Sequence, residues 1–177
     1  MQILDVLAGH GIYAYVARTY RRTMVSGEAR MKLRNLLPGM LFAYLSSHDF
    51  EAIFRKKDDA PESLYRQLSF ASYCYDPSYR TAGLKPSPLI IPASEMQSFI
   101  LATSTHDENI LVLPDSWQPR GRMDVVEVVR GRFKGVRGQM MINAAGLKYI
   151  VVTLPGLTAI RLPHLHTKDV KYFSYDE

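Results

Sequence analysis

The last third of the sequence contains four short runs of β-branched and other apolar residues, about ten residues apart, with glycines between them. The runs cover 123–129, 136–142, 147–153 and 157–162. Gly131, Gly135, Gly138, Gly146 and the pair Pro155-Gly156 mark the turns. Evenly spaced short strands without helices between them are typical of a small β-barrel. The pattern therefore predicts a β-barrel module over residues 123–177.

The first two thirds of the chain mix helical and strand-like patterns. Ile3, Leu4, Val6 and Leu7 have near-helical spacing, and Gly9 ends the predicted helix. The other predicted elements are a hairpin over 12–36 around Ser26-Gly27, a buried strand over 40–45, a helix over 48–57, a strand over 64–75, a helix over 92–103 and a short strand over 109–113. The chain is thus predicted to be α+β, with domains 1–114 and 123–177 and a linker over 115–122.

The composition of the sequence indicates the cellular location of the chain. Its 177 residues are 47% hydrophobic, which supplies enough apolar surface for packed cores. Cys74 is the single cysteine and cannot form an internal disulfide. We identify neither a secretory signal sequence nor an apolar run long enough to span a bilayer. These features predict a cytoplasmic protein without a membrane partner.

The basic residues are concentrated in two stretches. The first has a single acid, Glu28, among six basic side chains: Arg18, Arg21, Arg22, Arg30, Lys32 and Arg34. The second, 120–137, has six basic and two acidic residues. Both could follow a nucleic-acid backbone, since Lys and Arg that neutralise phosphates supply most non-specific affinity. Both could equally be solvated faces of paired strands.

The residues that usually carry catalysis or bind metals do not form a recognisable constellation. His164 and His166 have no third ligand nearby in sequence, and Cys74 has no adjacent histidine to activate it. The segment GRFKGVRG lies between two predicted strands and does not open a helix, as a phosphate-binding loop would. We therefore expect no enzymatic activity, no catalytic residue, no metal site and no cofactor.

The segment DVVEVVRGRFKGVRGQMMI resembles the KOW motif of NusG-type transcription factors and some ribosomal proteins. It combines an alternating strand, a turn containing Gly131, the aromatic Phe133 and a second turn at Gly135. The family usually has Gly-Pro-Phe where this chain has Gly131-Arg132-Phe133. The resemblance implies that 123–177 is an SH3-like KOW barrel.

The earlier residues resemble the same family in the same order. LLPGMLFAYL is similar to the Pro-Gly-aromatic strand of the NusG amino-terminal (NGN) domain, an α/β sandwich, and PLIIPASEMQSFI is similar to its last helix. The tyrosine-rich SYCYDPSYR is closest to the UpxY-like antiterminators of capsular-polysaccharide operons. NGN domains begin with a strand before the first helix, and this chain begins at that helix. We therefore expect a homodimer or domain swap, or a truncated chain.

The resemblance implies an elongation or antitermination factor that binds the clamp helices of RNA polymerase. By motif position the polymerase-binding residues are Ile3, Leu7, Leu37, Met40 and Phe42. The basic hairpin would lie along upstream or non-template DNA. The KOW module would contact Rho or a small-subunit ribosomal protein through Arg132, Phe133 and Ile142. For Phe42 and Phe133 a place in the core is an open alternative.

A second class of function remains open from the sequence. An RNA-binding module of ribosomal type would share the KOW turn and lack the polymerase-binding surface. LLPGMLFAYL and the α+β pattern around it favour the polymerase factor, because a ribosomal KOW protein would not need them.

Overall fold

The computed structural model describes residues 3–78, 87–114, 117, 123–143 and 145–173. Its α-helices are α1 Ile3–Gly9, α2 Ser47–Phe54, α3 Leu64–Gln67 and α4 Ala93–Thr103, and a 3-10 turn spans Thr167–Asp169. Its strands are β1 Ala14–Tyr15, β2 Arg18–Val25, β3 Glu28–Asn35, β4 Phe42–Ala43, β5 Leu111–Val112, β6 Val125–Val128, β7 Arg137–Ile142, β8 Lys148–Leu154, β9 Thr158–Arg161 and β10 Val170–Phe173. The chain is a mixed α+β protein, as predicted.

The contacts divide the chain into two compact units. The first unit comprises Met1–Val16 and Gly39–Leu89, and the second comprises Ala17–Pro38 and Ile90–Glu177. Residues 17–38 and 90–114 therefore belong to the same unit as residues 123–177. These bounds differ from those of the predicted domains 1–114 and 123–177. Most of the predicted linker, 115–122, lies outside the described residues.

The first unit folds around a small apolar cluster. Its fully buried members come from α1, the loop that follows α1, α2 and the residue after α3: Val6, Leu7, Ile12, Ile53 and Leu68. Beside this cluster β1 and β4 form an antiparallel pair, in which Ala14 faces Ala43. A two-residue pair contributes few hydrogen bonds, so the apolar cluster is the main source of stability in this unit.

Helix α2 begins at a capping box. The Ser46 hydroxyl accepts a hydrogen bond from the Asp49 amide at 3.1 Å, and the Asp49 carboxylate accepts one from the Ser46 amide at 3.0 Å. Two backbone groups at the helix start are thereby satisfied by neighbouring side chains. Ile53 is then directed into the apolar cluster of the first unit.

The second unit contains a six-stranded antiparallel sheet with the order β10-β6-β7-β8-β9-β5. The centre of one face of this sheet is buried, and the register places five buried side chains there: Val126, Val128, Ile150, Val152 and Ile160. Three consecutive residues of β8, from Ile150 to Val152, are buried, so both faces of this strand are covered. Helix α4 packs against β7 and β8.

Gly138 permits a close approach between neighbouring strands of this sheet. A Cβ atom at this position would lie 2.5 Å from the carbonyl oxygen of Val151 and 2.6 Å from Cγ2 of Ile150. No side chain fits at these distances, which explains the need for glycine at a point where its φ angle is ordinary.

Two predictions from the first part of the sequence are wrong. Residues 64–67 form helix α3, not part of a strand over 64–75, because the Ser63 hydroxyl accepts a hydrogen bond from the Arg66 amide and caps a helical turn. The run 40–45 is not a buried strand: only Phe42–Ala43 is paired, and Tyr44 is exposed. The hairpin predicted over 12–36 is confirmed over 18–35, whereas Ala14–Tyr15 pairs with β4. The helix predicted over 92–103 is confirmed over Ala93–Thr103.

Candidate nucleic-acid and protein interface

Strands β2 and β3 form a two-stranded hairpin in the second unit. All eight residues of each strand are paired, from Arg18 opposite Asn35 to Val25 opposite Glu28. Ser26 and Gly27 make the turn, and both have positive φ angles, 52° and 82°. This backbone geometry matches the right-handed twist of the strands and fixes the register.

The register sorts the side chains of the hairpin onto two chemically different faces. Directly opposite residues share a face, and successive residues alternate. One face, here called the basic face, carries Arg21, Arg30, Lys32 and Arg34. The other, here called the apolar face, carries Tyr20, Met24, Met31 and Leu33, together with Arg18 and Arg22. The six basic residues predicted as one nucleic-acid-binding set are therefore divided between the two faces.

The base of the hairpin is attached to the loop between α4 and β5. The Thr19 hydroxyl donates to the Asp107 carbonyl oxygen at 2.8 Å, and the Tyr20 amide donates to the His106 carbonyl oxygen at 3.0 Å. The Arg21 guanidinium donates to the carbonyl oxygens of Glu108 and Ile110 at 3.2 and 3.3 Å. Part of the hydrogen-bonding capacity of Arg21 is therefore satisfied within the protein itself.

Four of the five remaining basic side chains of the hairpin face solvent, and Arg18 is half-buried. Arg30 forms an exposed ion pair with Glu28 at 2.9 Å, which is weak in water. Lys32 and Arg34 are exposed, as is Arg22 on the other face. Six basic residues and one acid between Arg18 and Arg34 give this hairpin a charge of +5, equal to the formal net charge of the whole chain. The second basic stretch, 120–137, has six basic and two acidic residues and a charge of +4, so the hairpin is the more positive of the two.

The turn between β6 and β7 has the conformation that its glycines suggest. Gly131 and Gly135 have φ angles of 78° and 88°, in the left-handed region that favours glycine. The Gly135 amide donates to the Val128 carbonyl oxygen at 2.7 Å, and this bond closes the turn. Phe133, between the two glycines, is 2% exposed and fills the buried side of the sheet.

Arg132 joins this turn to the loop that holds the hairpin. Its Nη2 atom lies 2.5 Å from Oδ2 of Asp107, whose side chain is buried. The distance and the opposite charges define an ion pair. The Arg132 N–H groups are not aligned for a regular hydrogen bond to Oδ2. The other oxygen of Asp107 accepts from the amide and side chain of Asn109. The carboxylate therefore orders both the loop and the turn.

Of the residues predicted to bind a partner through the KOW module, two are accessible and one is not. The Arg132 side chain is 61% exposed despite its ion pair, and Ile142 is exposed at the end of β7. Phe133 is buried and occupies the core position that the sequence left as the alternative.

The residues predicted to bind polymerase differ in accessibility. Leu7 is buried in the apolar cluster of the first unit, and Ile3 packs against that cluster. Leu37, Met40 and Phe42 are half-buried, so part of each side chain is accessible. Met40 and Phe42 of the first unit and Leu37 of the second unit therefore stay candidate contacts, each within its own unit, whereas Ile3 and Leu7 have structural roles.

Two functional features were missed from the sequence. The apolar face of the hairpin follows from the period-two spacing of Tyr20 and Met24 and of Met31 and Leu33, a signal that predicted the hairpin but not an exposed apolar face. Asp107 gave no such signal, because its partner Arg132 lies far along the chain. Only the folded structure brings these two residues together.

Other chemistry-bearing side chains are scattered over the described residues. No group of three or more His, Cys, Asp or Glu residues in the described part of the chain could hold a metal ion. The rings of His164 and His166 lie 5.9 Å apart at an exposed site, and Cys74 is an exposed free thiol. Among the helices the structure describes, none combines the length and apolar character required to cross a bilayer.

The comparisons with known proteins gave no match to a family model, a curated protein or a solved structure.

Proposed function

We propose that this chain is a cytoplasmic transcription elongation or antitermination factor. It binds the clamp helices of RNA polymerase, lays its basic hairpin along upstream or non-template DNA, and recruits further machinery through residues 123–177. Rho and a small-subunit ribosomal protein are the candidates for the recruited partner. A role at long operons such as capsular-polysaccharide loci accords with the tyrosine-rich segment that resembles UpxY-like factors.

The observation that carries the proposal is the geometry of the turn from Gly131 to Gly135. Its glycines have positive φ angles, and Phe133 in the turn between β6 and β7 is buried, which is compatible with the KOW-like turn that the sequence predicts. The charge of the hairpin is a second support, because a surface of this charge favours contact with phosphates. The order of the resembling motifs along the chain is a third.

The half-buried residues around β4 offer the contact with polymerase. Met40 and Phe42 belong to the motif that resembles the polymerase-binding strand, and both keep some accessible surface. A few apolar anchors within a polar rim commonly supply most of the energy of such an interface. We expect Phe42 to be one of them.

The proposal is tested by measuring binding of the full chain to a purified clamp-helix fragment of RNA polymerase. Phe42→Ser should weaken binding roughly tenfold or more, because loss of an anchor costs at least about 1.4 kcal/mol. Phe70→Ser is the matched control, since Phe70 belongs to the same unit, is 72% exposed and is not a predicted contact. This control should bind within about twofold of wild type.

One outcome would contradict the role of Phe42 alone, and another would contradict the proposed function. Equal affinity of the Phe42 variant, with an unchanged circular dichroism spectrum, would remove Phe42 from the interface. Failure of wild type to bind the fragment, together with saturable binding to structured RNA, would favour the ribosomal type of RNA-binding module.

A further inference from the structure

The apolar face of the hairpin is exposed along its length. Tyr20, Met24, Met31 and Leu33 retain 44%, 68%, 46% and 39% of their accessible surface. Tyr20 stands directly opposite Leu33, and Met31 is the next position after Leu33 on the same face. Met24 follows on β2, beyond Arg22, and is the diagonal neighbour of Met31. Cross-strand and diagonal neighbours of this kind are close enough to form one continuous strip. A continuous apolar strip of this size usually marks an interaction surface, whereas isolated exposed apolar residues do not.

The hairpin projects from the second unit, because every residue of β3 is exposed on both faces and Thr19 is the single buried residue of β2. An antiparallel strand pair with one solvated face normally turns its apolar side to the core. Here the opposite face supplies the buried Thr19 and the anchored Arg21, which bond to the backbone of the loop over 107–110. The protein therefore uses polar bonds to hold the apolar face in solvent, which costs free energy unless another molecule covers it.

Charge decides which kind of molecule covers this face. The hairpin carries a net charge of +5, so the hairpins of two copies of the chain would repel each other. A phosphate backbone has the required negative charge but no apolar surface to cover Leu33 and two methionines. A protein surface that combines apolar side chains with carboxylates satisfies both requirements. Arg18 and Arg22, on the same face, would then pair with the carboxylates.

We propose that the apolar face of this hairpin binds an acidic amphipathic helix of a partner protein. The apolar strip from Tyr20 to Met24 extends over about 13 Å, the length of roughly nine residues, or two to three turns, of α-helix. Such a helix presents an apolar stripe at positions i, i+3, i+4 and i+7, flanked by its charged face. Methionines suit this role because their unbranched side chains adapt to different helix surfaces. This inference does not rest on the proposed binding to polymerase.

The test uses the full chain and a synthetic probe. The probe is a fluorescent 18-residue helical peptide with leucines along one stripe and glutamates elsewhere, followed by fluorescence anisotropy. Met24→Gln with Leu33→Gln should weaken peptide binding about tenfold or more, whereas Met24→Leu with Met31→Leu should preserve it. Arg30→Gln with Arg34→Gln, on the basic face, is the matched control and should change peptide binding by less than about threefold.

A second probe separates the protein partner from nucleic acid. Binding of single- and double-stranded oligonucleotides should be within about twofold of wild type in the Met24 and Leu33 variant. Absence of peptide binding by wild type would overturn the inference. So would equal binding of a peptide with lysine in place of glutamate, or an equal loss of oligonucleotide binding in the apolar-face variant. Circular dichroism of each variant confirms that the hairpin is retained.

Discussion

Phe133 is predicted from the sequence to contact a partner, but its burial gives it a role in stability. It is buried in the turn between β6 and β7, and the Arg132 guanidinium lies 5.3 Å from its ring centroid. Loss of a partner after its substitution would therefore report unfolding as readily as loss of a contact. The neighbouring Arg132 is also structural in part, because its ion pair with Asp107 holds the turn to the loop below the hairpin.

Phe133→Ala should accordingly lower the free energy of unfolding by about 3–5 kcal/mol, the usual cost of removing a buried phenylalanine side chain. Chemical denaturation followed by circular dichroism measures this change. Phe70→Ala, at an exposed phenylalanine, should change stability by less than about 0.5 kcal/mol. A Phe133 variant as stable as wild type would contradict the burial of this ring.

Asp49 provides a pH-dependent test of the capping box of α2. The hydrogen bond from the Ser46 hydroxyl and then that from the Ser46 amide hold the pKa of Asp49 below its ordinary value of 3.8. A lowered pKa in the folded state means that this contribution to stability is present above pH 3.8 and is lost as the pH falls through the lowered value. The start of α2 should therefore loosen only in strongly acidic solution.

Ser46→Ala should raise the pKa of Asp49 towards 3.8, as measured by NMR titration of the carboxyl carbon. Asp76 is an internal control, because hydrogen bonds from Ser78 lower its pKa independently of Ser46. Its titration should be unchanged in the Ser46 variant. Equal movement of both carboxyl groups, or of neither, would contradict the capping geometry.

At the scale of elements, two proposed interactions depend on the hairpin of β2 and β3: the contact with DNA and the binding of an acidic amphipathic helix. A two-stranded hairpin alone is marginally stable in water, and this one is anchored through Thr19 and Arg21 to the loop after α4. Its two faces differ in chemistry, so phosphate binding and protein binding can be altered separately. The salt dependence of nucleic-acid affinity measures the phosphate contacts separately from protein binding.

Replacing Arg30, Lys32 and Arg34 by glutamine should reduce the slope of log affinity against log salt by about 2–3 for duplex DNA, since each phosphate contact contributes roughly 0.9. Anisotropy titrations at several salt concentrations provide the slope. The control replaces three exposed basic residues outside the hairpin, Arg130, Lys134 and Lys168, by glutamine. A larger change in the control would assign the phosphate contacts to basic residues outside the hairpin.

At the scale of the whole molecule, local sequence patterns predicted several turns and helices correctly. They did not predict burial or pairing that depends on residues far apart in the sequence. The turn at Ser26-Gly27 and the helix ending near Thr103 carry signals within a few residues, and both are present. The run 40–45 did not reveal its environment, because an apolar run alone does not say how many strands pair with it. The burial of Phe133 and the pairing of Asp107 with Arg132 also depend on the complete fold.

The candidate interface likewise was predicted only where its features depend on residues close together in the sequence. The sequence located the charge of the hairpin, yet it could not show that Arg21 bonds to backbone carbonyl groups near Ile110 or that Leu7 is buried. It also predicted bounds of 1–114 and 123–177 for the domains, whereas the contacts join residues 17–38 and 90–177 in one unit. Long-range pairings such as β5 with β9 cause this difference.

The central claim is that the chain acts on transcribing RNA polymerase. The most direct test is a single-round transcription assay in which purified polymerase passes defined pause and terminator sites with increasing amounts of the full chain. We predict a saturable change in pause lifetime or terminator read-through, reduced by Phe42→Ser and unaffected by Phe70→Ser. Unchanged pausing and read-through at saturating concentrations of the chain would contradict the claim.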